Sequence, residues 1–217
     1  MTGVLELQGL CVYHGAAQVV ALDLAVAPGE VLTIMGPSGS GKSTALAAVM
    51  GTLSPAFRTE GRVILMGRDI TTLPAHQRRV GLLFQDDVLF PHLSVGENLA
   101  FALPPSVKGR QARRAAIDAA LDAADLSGFA ARDPATLSGG QRARVALMRT
   151  LLAQPCALLL DEPFSRLDAS LRAQIRSFVL SRVRNEGLPA VLVTHDAEDA
   201  VAAGGPVVSP LGQPVAL

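Results

Sequence analysis

A chain of 217 residues, 49% of them hydrophobic, can bury one sizeable core or a core carrying an inserted subdomain. Its 19 basic and 19 acidic residues cancel, and it has no Trp and one Tyr, so composition offers no electrostatic pull on nucleic acid and no base-stacking platform. Cys11 and Cys156 sit in apolar strand-like runs and read as buried free thiols, Met1–Glu6 has no signal-peptide pattern, and no apolar run approaches the ~20 residues a bilayer span needs. The expectation is a soluble cytoplasmic protein that reaches any membrane through a partner.

Two strand-like runs open the chain, Val4-Leu5-Glu6-Leu7 and Val19–Val26, the second partly alternating as a half-exposed antiparallel strand would. Tyr13-His14-Gly15 falls between them and reads as a turn; Tyr13 suits either stacking on an adenine ring or covering the core at a strand end. Pro28-Gly29-Glu30 turns the chain into Val31-Leu32-Thr33-Ile34-Met35, a short buried strand.

The most informative stretch follows, Gly36-Pro37-Ser38-Gly39-Ser40-Gly41-Lys42-Ser43-Thr44, a Gly-x-x-x-x-Gly-Lys-Ser phosphate loop. Its glycines let the backbone approach a polyphosphate closely. Successive N–H groups then face the anion, and the helix predicted from Thr44 onward adds its positive end. Lys42 supplies a point charge to the β- and γ-phosphates, and the Ser43 hydroxyl is a hard oxygen suited to Mg2+.

Gly61–Gly67 reads as a further strand, Pro74–Arg79 as a short helical turn, and Val80–Phe84 as an apolar strand ending at Gln85. A polar amide there is either an ordinary strand end or a ligand contact, since open α/β sheets bind at that edge. From about residue 92 to 154 strands give way to helices. Ser94 and Glu97 have capping-box spacing ahead of a helix to Leu103, and a second helix spans Gly109–Leu126 with one apolar stripe. Arg110, Arg113 and Arg114 near its start read as a solvated face, with contact to a partner as the alternative. Leu137-Ser138-Gly139-Gly140-Gln141 opens a helix through Ala153.

Cys156–Leu160 is a fully apolar strand ending in Asp161-Glu162, and carboxylates are costly there unless they serve a cation or a proton transfer. Asp161 suits Mg2+ and Glu162 suits the proton of an attacking water. Asp168 looks like the N-cap of a helix stopped by Gly187, and Ala190–Thr194 is one more buried strand with His195 at its tip. Gln85, Asp161, His195 and the phosphate loop are thus all assigned to one sheet edge. Val207-Val208 and Val215–Leu217 read as weak edge strands.

Together these segments resemble the ATP-binding subunit of an ABC transporter, over roughly residues 3–200. The most specific element is the Leu-Ser-Gly-Gly-Gln signature at 137–141, upstream of the Asp161-Glu162 strand. The resemblance implies an α/β, P-loop NTPase ABC-type core, a mixed sheet with flanking helices, plus an inserted helical subdomain and an N-terminal antiparallel β subdomain. It implies a single nucleotide-binding domain over 1–217, with its core at 1–91 and 155–217 and the signature subdomain at about 92–154. It implies ATP and Mg2+ as ligands. Tyr13 would stack on adenine, and Gly36 to Thr44 would form the Walker A loop. Gln85, Ser43 and Asp161 would serve the metal, with Gln85 also sensing the attacking water and the membrane partner. Ser138, Gly139, Gly140 and Gln141 would contact ATP held by the opposite subunit, with Asp168 in the intervening D-loop. Glu162 would be the catalytic glutamate, and His195, with Lys42, would hold the γ-phosphate.

The implied partners are a second copy in a head-to-tail dimer, or a homologous subunit, and transmembrane permease subunits on the cytoplasmic face of the inner membrane; no nucleic acid is expected. Residues 85–93 resemble the groove that takes a helix of the permease, although Leu89 and Phe90 also suit plain core contacts. Arg166 departs from the small or neutral residue usual in the D-loop, which points to a trans salt bridge or an altered closing equilibrium. The segments 79–85, 90–95 and 161–165 look most like bacterial importers of small solutes. Many of these carry a C-terminal regulatory domain, for which this chain is expected to be too short. An exporter subunit, a soluble ABC ATPase acting on DNA or ribosomes, and a phosphate-loop kinase are the alternatives; the last leaves residues 137–141 unexplained.

Overall fold

The computed structural model describes residues 3–86 and 88–217; Met1, Thr2 and Asp87, the last within the 85–93 segment, lie outside it. In chain order the elements are β1 (Leu5–His14), β2 (Ala17–Val26), β3 (Val31–Met35), α1 (Lys42–Met50), β4 (Phe57–Leu65), β5 (Arg68–Asp69) and β6 (Val80–Leu83). There follow α2 (Val95–Ala102), α3 (Arg110–Ala123), α4 (Gly139–Leu152), β7 (Ala157–Asp161), α5 (Ala169–Asn185), β8 (Ala190–Thr194), α6 (Ala197–Ala203) and β9 (Val207–Val208). The chain divides into two compact units, one of Met1–Leu82, Cys156–Glu162 and Arg176–Leu217, the other of Leu83–Pro155 and Pro163–Ile175.

The first unit carries an antiparallel sheet, β2-β1-β4-β5, and a sheet in the order β6-β7-β8-β3-β9. In β1 the buried residues change parity, from Leu5 and Leu7 to Leu10 and Val12. A register shift between Leu7 and Leu10, with Gly9 at φ 56°, inserts the extra residue that brings all four to the same face. In the second sheet β3, β7 and β8 run parallel, and their residues are buried except at the β3 and β7 C-termini. Such uninterrupted apolar strands are stable only when both faces are covered. Ala45, Leu46, Ala48 and Val49 of α1 join Leu32, Ile34, Leu159 and Val193 in the core, and each fully buried Leu or Val contributes about 1.5–3 kcal/mol.

The second unit is helical. Ser94 and Glu97 close the capping box read from their spacing, with Ser94 N donating to Glu97 Oε2 at 2.7 Å. Leu99, Leu121, Val145 and Leu147 are buried, and so is Asn98, whose Nδ2 donates to the carbonyls of Phe90, Leu93 and Ser94 at 3.0–3.1 Å. Asn98 Oδ1 accepts from Phe90 N at 2.8 Å, so one buried amide fixes the 90–94 turn.

Several boundaries differ from the sequence expectations. Tyr13 and His14 are paired inside β1 rather than in a turn, because β1 and β4 continue their register to Tyr13↔Arg58 and His14↔Phe57. The helix expected over 109–126 ends at Ala123. The tail forms one isolated bridge, Val208↔Pro214, instead of a strand over 215–217, and α6 is an element the apolar pattern did not signal. Cys156 is buried and Cys11 half-buried, both as free thiols.

Candidate active site

Three parallel strand ends, β3, β7 and β8, deliver the phosphate loop, Asp161-Glu162 and His195 within the first unit. The loop's path is set by Gly41. Its φ of 103° is unfavourable for a side chain, and a Cβ there would lie 2.6 Å from the Val19 carbonyl oxygen. Gly41 is also the N-cap of α1 and offers no side-chain acceptor, which leaves the first-turn N–H groups free for an anion.

Lys42 is nearly buried, and its Nζ donates to the carbonyls of Gly36 at 2.9 Å and Pro37 at 3.0 Å. Glu162 Oε1 stands 3.7 Å from the same Nζ, while Glu162 Oε2 stands 3.2 Å from Nδ1 of His195. The glutamate therefore bridges the phosphate-loop lysine and the histidine at the tip of the neighbouring strand β8. Its backbone lies at φ 46°, a left-handed conformation that a non-glycine residue rarely takes. A bond from Glu162 N to the Val193 carbonyl, 3.0 Å long, holds it there. Strain of this kind clusters where a side chain must be aimed.

Ser43 Oγ donates to Asp161 Oδ1 at 3.4 Å. Burial holds the Asp161 carboxyl above the usual aspartate range, and the Glu162 charge adds to the effect; the Ser43 hydrogen bond and the Lys42 charge oppose it. The Ser43 hydroxyl and the Asp161 carboxyl it touches are hard oxygens that fit a divalent cation, which would reverse that shift. No cluster of three His, Cys, Asp or Glu able to hold a metal occurs among the described residues. The fit to a polyphosphate rests on Lys42, the uncapped α1 terminus and Ser40, whose buried Oγ has no hydrogen-bond partner among the described residues.

Tyr13 lies in the same unit, on β1, with the Arg58 guanidinium 4.3 Å from its ring centroid. Burial raises the Tyr13 hydroxyl pKa. The remaining candidates belong to the second unit. Gln85 is exposed just beyond β6, which ends at Leu83 rather than at Phe84. Ser138 caps α4 in a capping box with Gln141, Ser138 N donating to Gln141 Oε1 at 3.0 Å. Gly139 begins that helix, and a Cβ on Gly140 would meet Leu171 Cδ1 at 2.5 Å, so the signature packs tightly against α5. Asp168 accepts from Leu171 N at 3.0 Å, as an N-cap does. Leu89 and Phe90 are half-buried, with Phe90 edge-on to Phe101 at 5.0 Å and the Arg149 guanidinium 5.4 Å from its ring.

Two positioning residues escaped the sequence reading. Arg78 donates to the Ala48 and Val49 carbonyls at 2.9 Å and to those of Leu73 and Thr71 at 2.8 and 2.5 Å, closing the C-terminus of α1. Asp199 anchors the turn behind His195, accepting from Arg176 at 2.8 Å and Thr194 Oγ1 at 3.2 Å. An arginine after a surface-like turn and an aspartate in a short helix carry no motif that would single them out.

The sequence matches the family model described as ABC transporter over residues 19–165. It is 53% identical over 178 residues to the uncharacterized ABC transporter ATP-binding protein YnjD of Escherichia coli (strain K12), covering 82% of each chain. It is 39% identical over 207 residues to the Fe(3+) ions import ATP-binding protein FbpC 1 of Rhizobium meliloti (strain 1021), covering 95% of this chain and 58% of that protein. It is 46% identical over 181 residues to the spermidine/putrescine import ATP-binding protein PotA of Frankia alni, covering 83% of this chain and 38% of that protein. The chain thus spans most of YnjD but only part of the length of the import proteins it matches.

Proposed function

Because the chain belongs to the ABC transporter family, as an ATP-binding subunit of its ATPase class, we propose that it hydrolyses ATP to power the uptake of a small solute through separate permease subunits. The observation that carries the chemistry is Glu162, set 3.2 Å from His195 and 3.7 Å from Lys42 beside the phosphate loop. The support for uptake is the likeness to import proteins named for ferric ion and for spermidine and putrescine. The ATPase motifs do not contact cargo, so choice of solute belongs to the permease. No helix among the described residues is long and apolar enough to cross a membrane, which fits a subunit that works beside a permease.

In this reading the N–H groups of Gly39 to Thr44 and the Lys42 ammonium cradle the β- and γ-phosphates of ATP, and Tyr13 stacks on adenine. Ser43 and Asp161, with Gln85, are the residues that would hold Mg2+. When bound, Mg2+ supplies positive charge that offsets the triphosphate. Glu162 accepts a proton from water as the water oxygen bonds to the γ-phosphorus. The bond from that phosphorus to the bridging oxygen breaks and ADP departs. His195 steadies the γ-phosphate and is itself oriented by Glu162. Ser138 to Gln141 meet the ATP of a second copy packed head-to-tail, so binding closes the dimer and hydrolysis reopens it.

The test is ATP hydrolysis by the wild type and Glu162→Gln, with size-exclusion chromatography in ATP and Mg2+. Hydrolysis by the wild type and a stalled ATP-bound dimer of the variant are expected. A variant that hydrolyses normally and stays monomeric would overturn both the base and the two-site sandwich.

A further inference from the structure

The cation at position 166 has a partner in its own chain. Arg166 Nη1 forms an ion pair and hydrogen bond with Asp86 Oδ1, and Asp86 directly follows Gln85. Both groups belong to the second unit. The base from which Arg166 projects is fixed. Phe164 is fully buried, Leu167 N donates to the Phe164 carbonyl at 3.2 Å, and Asp168 takes Leu171 N at 3.0 Å and, through its carbonyl, Arg172 N at 2.8 Å. Farther along the same segment a second arginine acts, Arg149 of α4 donating to the Val88 carbonyl at 3.0 Å. Val88 sits at φ 41°, costly for a β-branched residue, so its own conformation is imposed by its surroundings rather than by local preference. Gln85, Asp86 and Arg166 line one cavity of about 480 Å³ with Gly139 and Leu167.

We propose that Arg166 is a positioning residue. Through Asp86 it sets the place of the Gln85 amide, and so ties the 165–168 loop to the glutamine assigned to Mg2+ and the attacking water. Movement of that loop on dimer closure is then transmitted to Gln85 by a charge pair, without passing through the phosphate loop. The inference rests on the role proposed above for Gln85. The side chains of Arg166 and Asp86 are 61% and 59% exposed, so the tie is modest, screened by salt and reversible within a catalytic cycle.

The experiment is steady-state ATP hydrolysis by Arg166→Ala, Asp86→Ala, Arg166→Asp with Asp86→Arg, and a Glu162→Gln control, at low and high ionic strength. Each alanine variant is expected to lose about two- to five-fold in kcat at low salt with KM for ATP unchanged, the size an exposed ion pair can supply. The exchanged pair is expected to recover kcat, and high salt to bring the wild type toward Arg166→Ala. A general loss of structure would not be repaired by exchanging the charges. Alanine variants with wild-type kcat, or an exchanged pair that stays impaired, overturn the inference when Glu162→Gln is inactive. An active Glu162→Gln overturns instead the reading on which it rests.

Discussion

Arg176 of α5 donates to Asp199 of α6 at 2.8 Å, with 15% and 4% of the two side chains exposed. The second Asp199 oxygen accepts from Thr194 Oγ1 at 3.2 Å, and Thr194 Oγ1 in turn accepts from Asp196 N at 3.0 Å. His195 lies inside that chain of bonds, so the turn carrying it is pinned from below. Removing Asp199 leaves Arg176 only the exposed Glu198, 3.7 Å away, so the loss should approach that of a broken buried pair, about 3–5 kcal/mol. Asp199→Ala should therefore lower the urea midpoint sharply. The double replacement Arg176→Met with Asp199→Leu should cost less than Asp199→Ala alone, because no buried charge is left behind. Equal losses in the two variants would show that packing, not charge, sets the cost.

Arg78 makes a second claim on stability. Its guanidinium is held below the usual arginine pKa by burial, yet it reaches four carbonyls, two of them in the last turn of α1. That turn lies at the opposite end of the helix from the phosphate loop, where a cation also favours the helix dipole. Arg78→Lys is not conservative here, since one ammonium cannot match the planar fork. Arg78→Met should cost about 1–3 kcal/mol for each carbonyl left without a donor, read by chemical denaturation. A change in unfolding midpoint within error would contradict the capping role.

These two arginines mark where the sequence stops being legible. Residues 36–44 and 137–141 can be read directly because several of their positions have a local reason, such as the left-handed Gly41 or the close approach of Gly140 to Leu171. The apolar strands β3, β7 and β8 are equally plain, since nothing in them alternates. The Ser94–Glu97 box is local and therefore visible. Arg78, Asn98, Arg176 and Asp199 act across 4 to 30 residues of chain on carbonyls or buried partners that no spacing rule names. Tyr13 was misplaced for a related reason, because the length of β1 is decided by its register with β4 rather than by its own composition. The departure at Arg166 could be seen in the sequence, but not its partner, which is 80 residues away.

Tyr13 leads to a third prediction. Register pairs Tyr13 with Gln18 on one side and Arg58 on the other, and the Arg58 guanidinium lies 4.3 Å from the ring centroid. A cation against an aromatic ring contributes on the order of 0.5–1 kcal/mol at an exposed site and restrains the ring. Arg58→Ala should weaken binding of a fluorescent ATP analogue by about two- to five-fold, with kcat unchanged, because the reacting phosphates lie at the other end of the nucleotide. Tyr13→Ala should weaken it further. Tighter binding in Arg58→Ala would mean that the guanidinium competes with the base for the ring instead of supporting it.

The contact between Glu162 and His195 sets the last expectation. Groups acting as a unit give non-additive losses, whereas independent groups give additive ones. With 3.2 Å between Oε2 and Nδ1, His195→Ala removes the partner that touches the glutamate, together with the phosphate contact proposed for His195. Each single variant, Glu162→Gln and His195→Ala, should lower kcat by on the order of 10²-fold or more. The double variant should be little worse than the more impaired single. ATP affinity should survive in both, since Lys42 and the N-terminus of α1 remain. A double variant whose loss equals the product of the two singles would show that the pair acts separately, with His195 serving the phosphate alone and Glu162 oriented by its strained backbone and by Lys42.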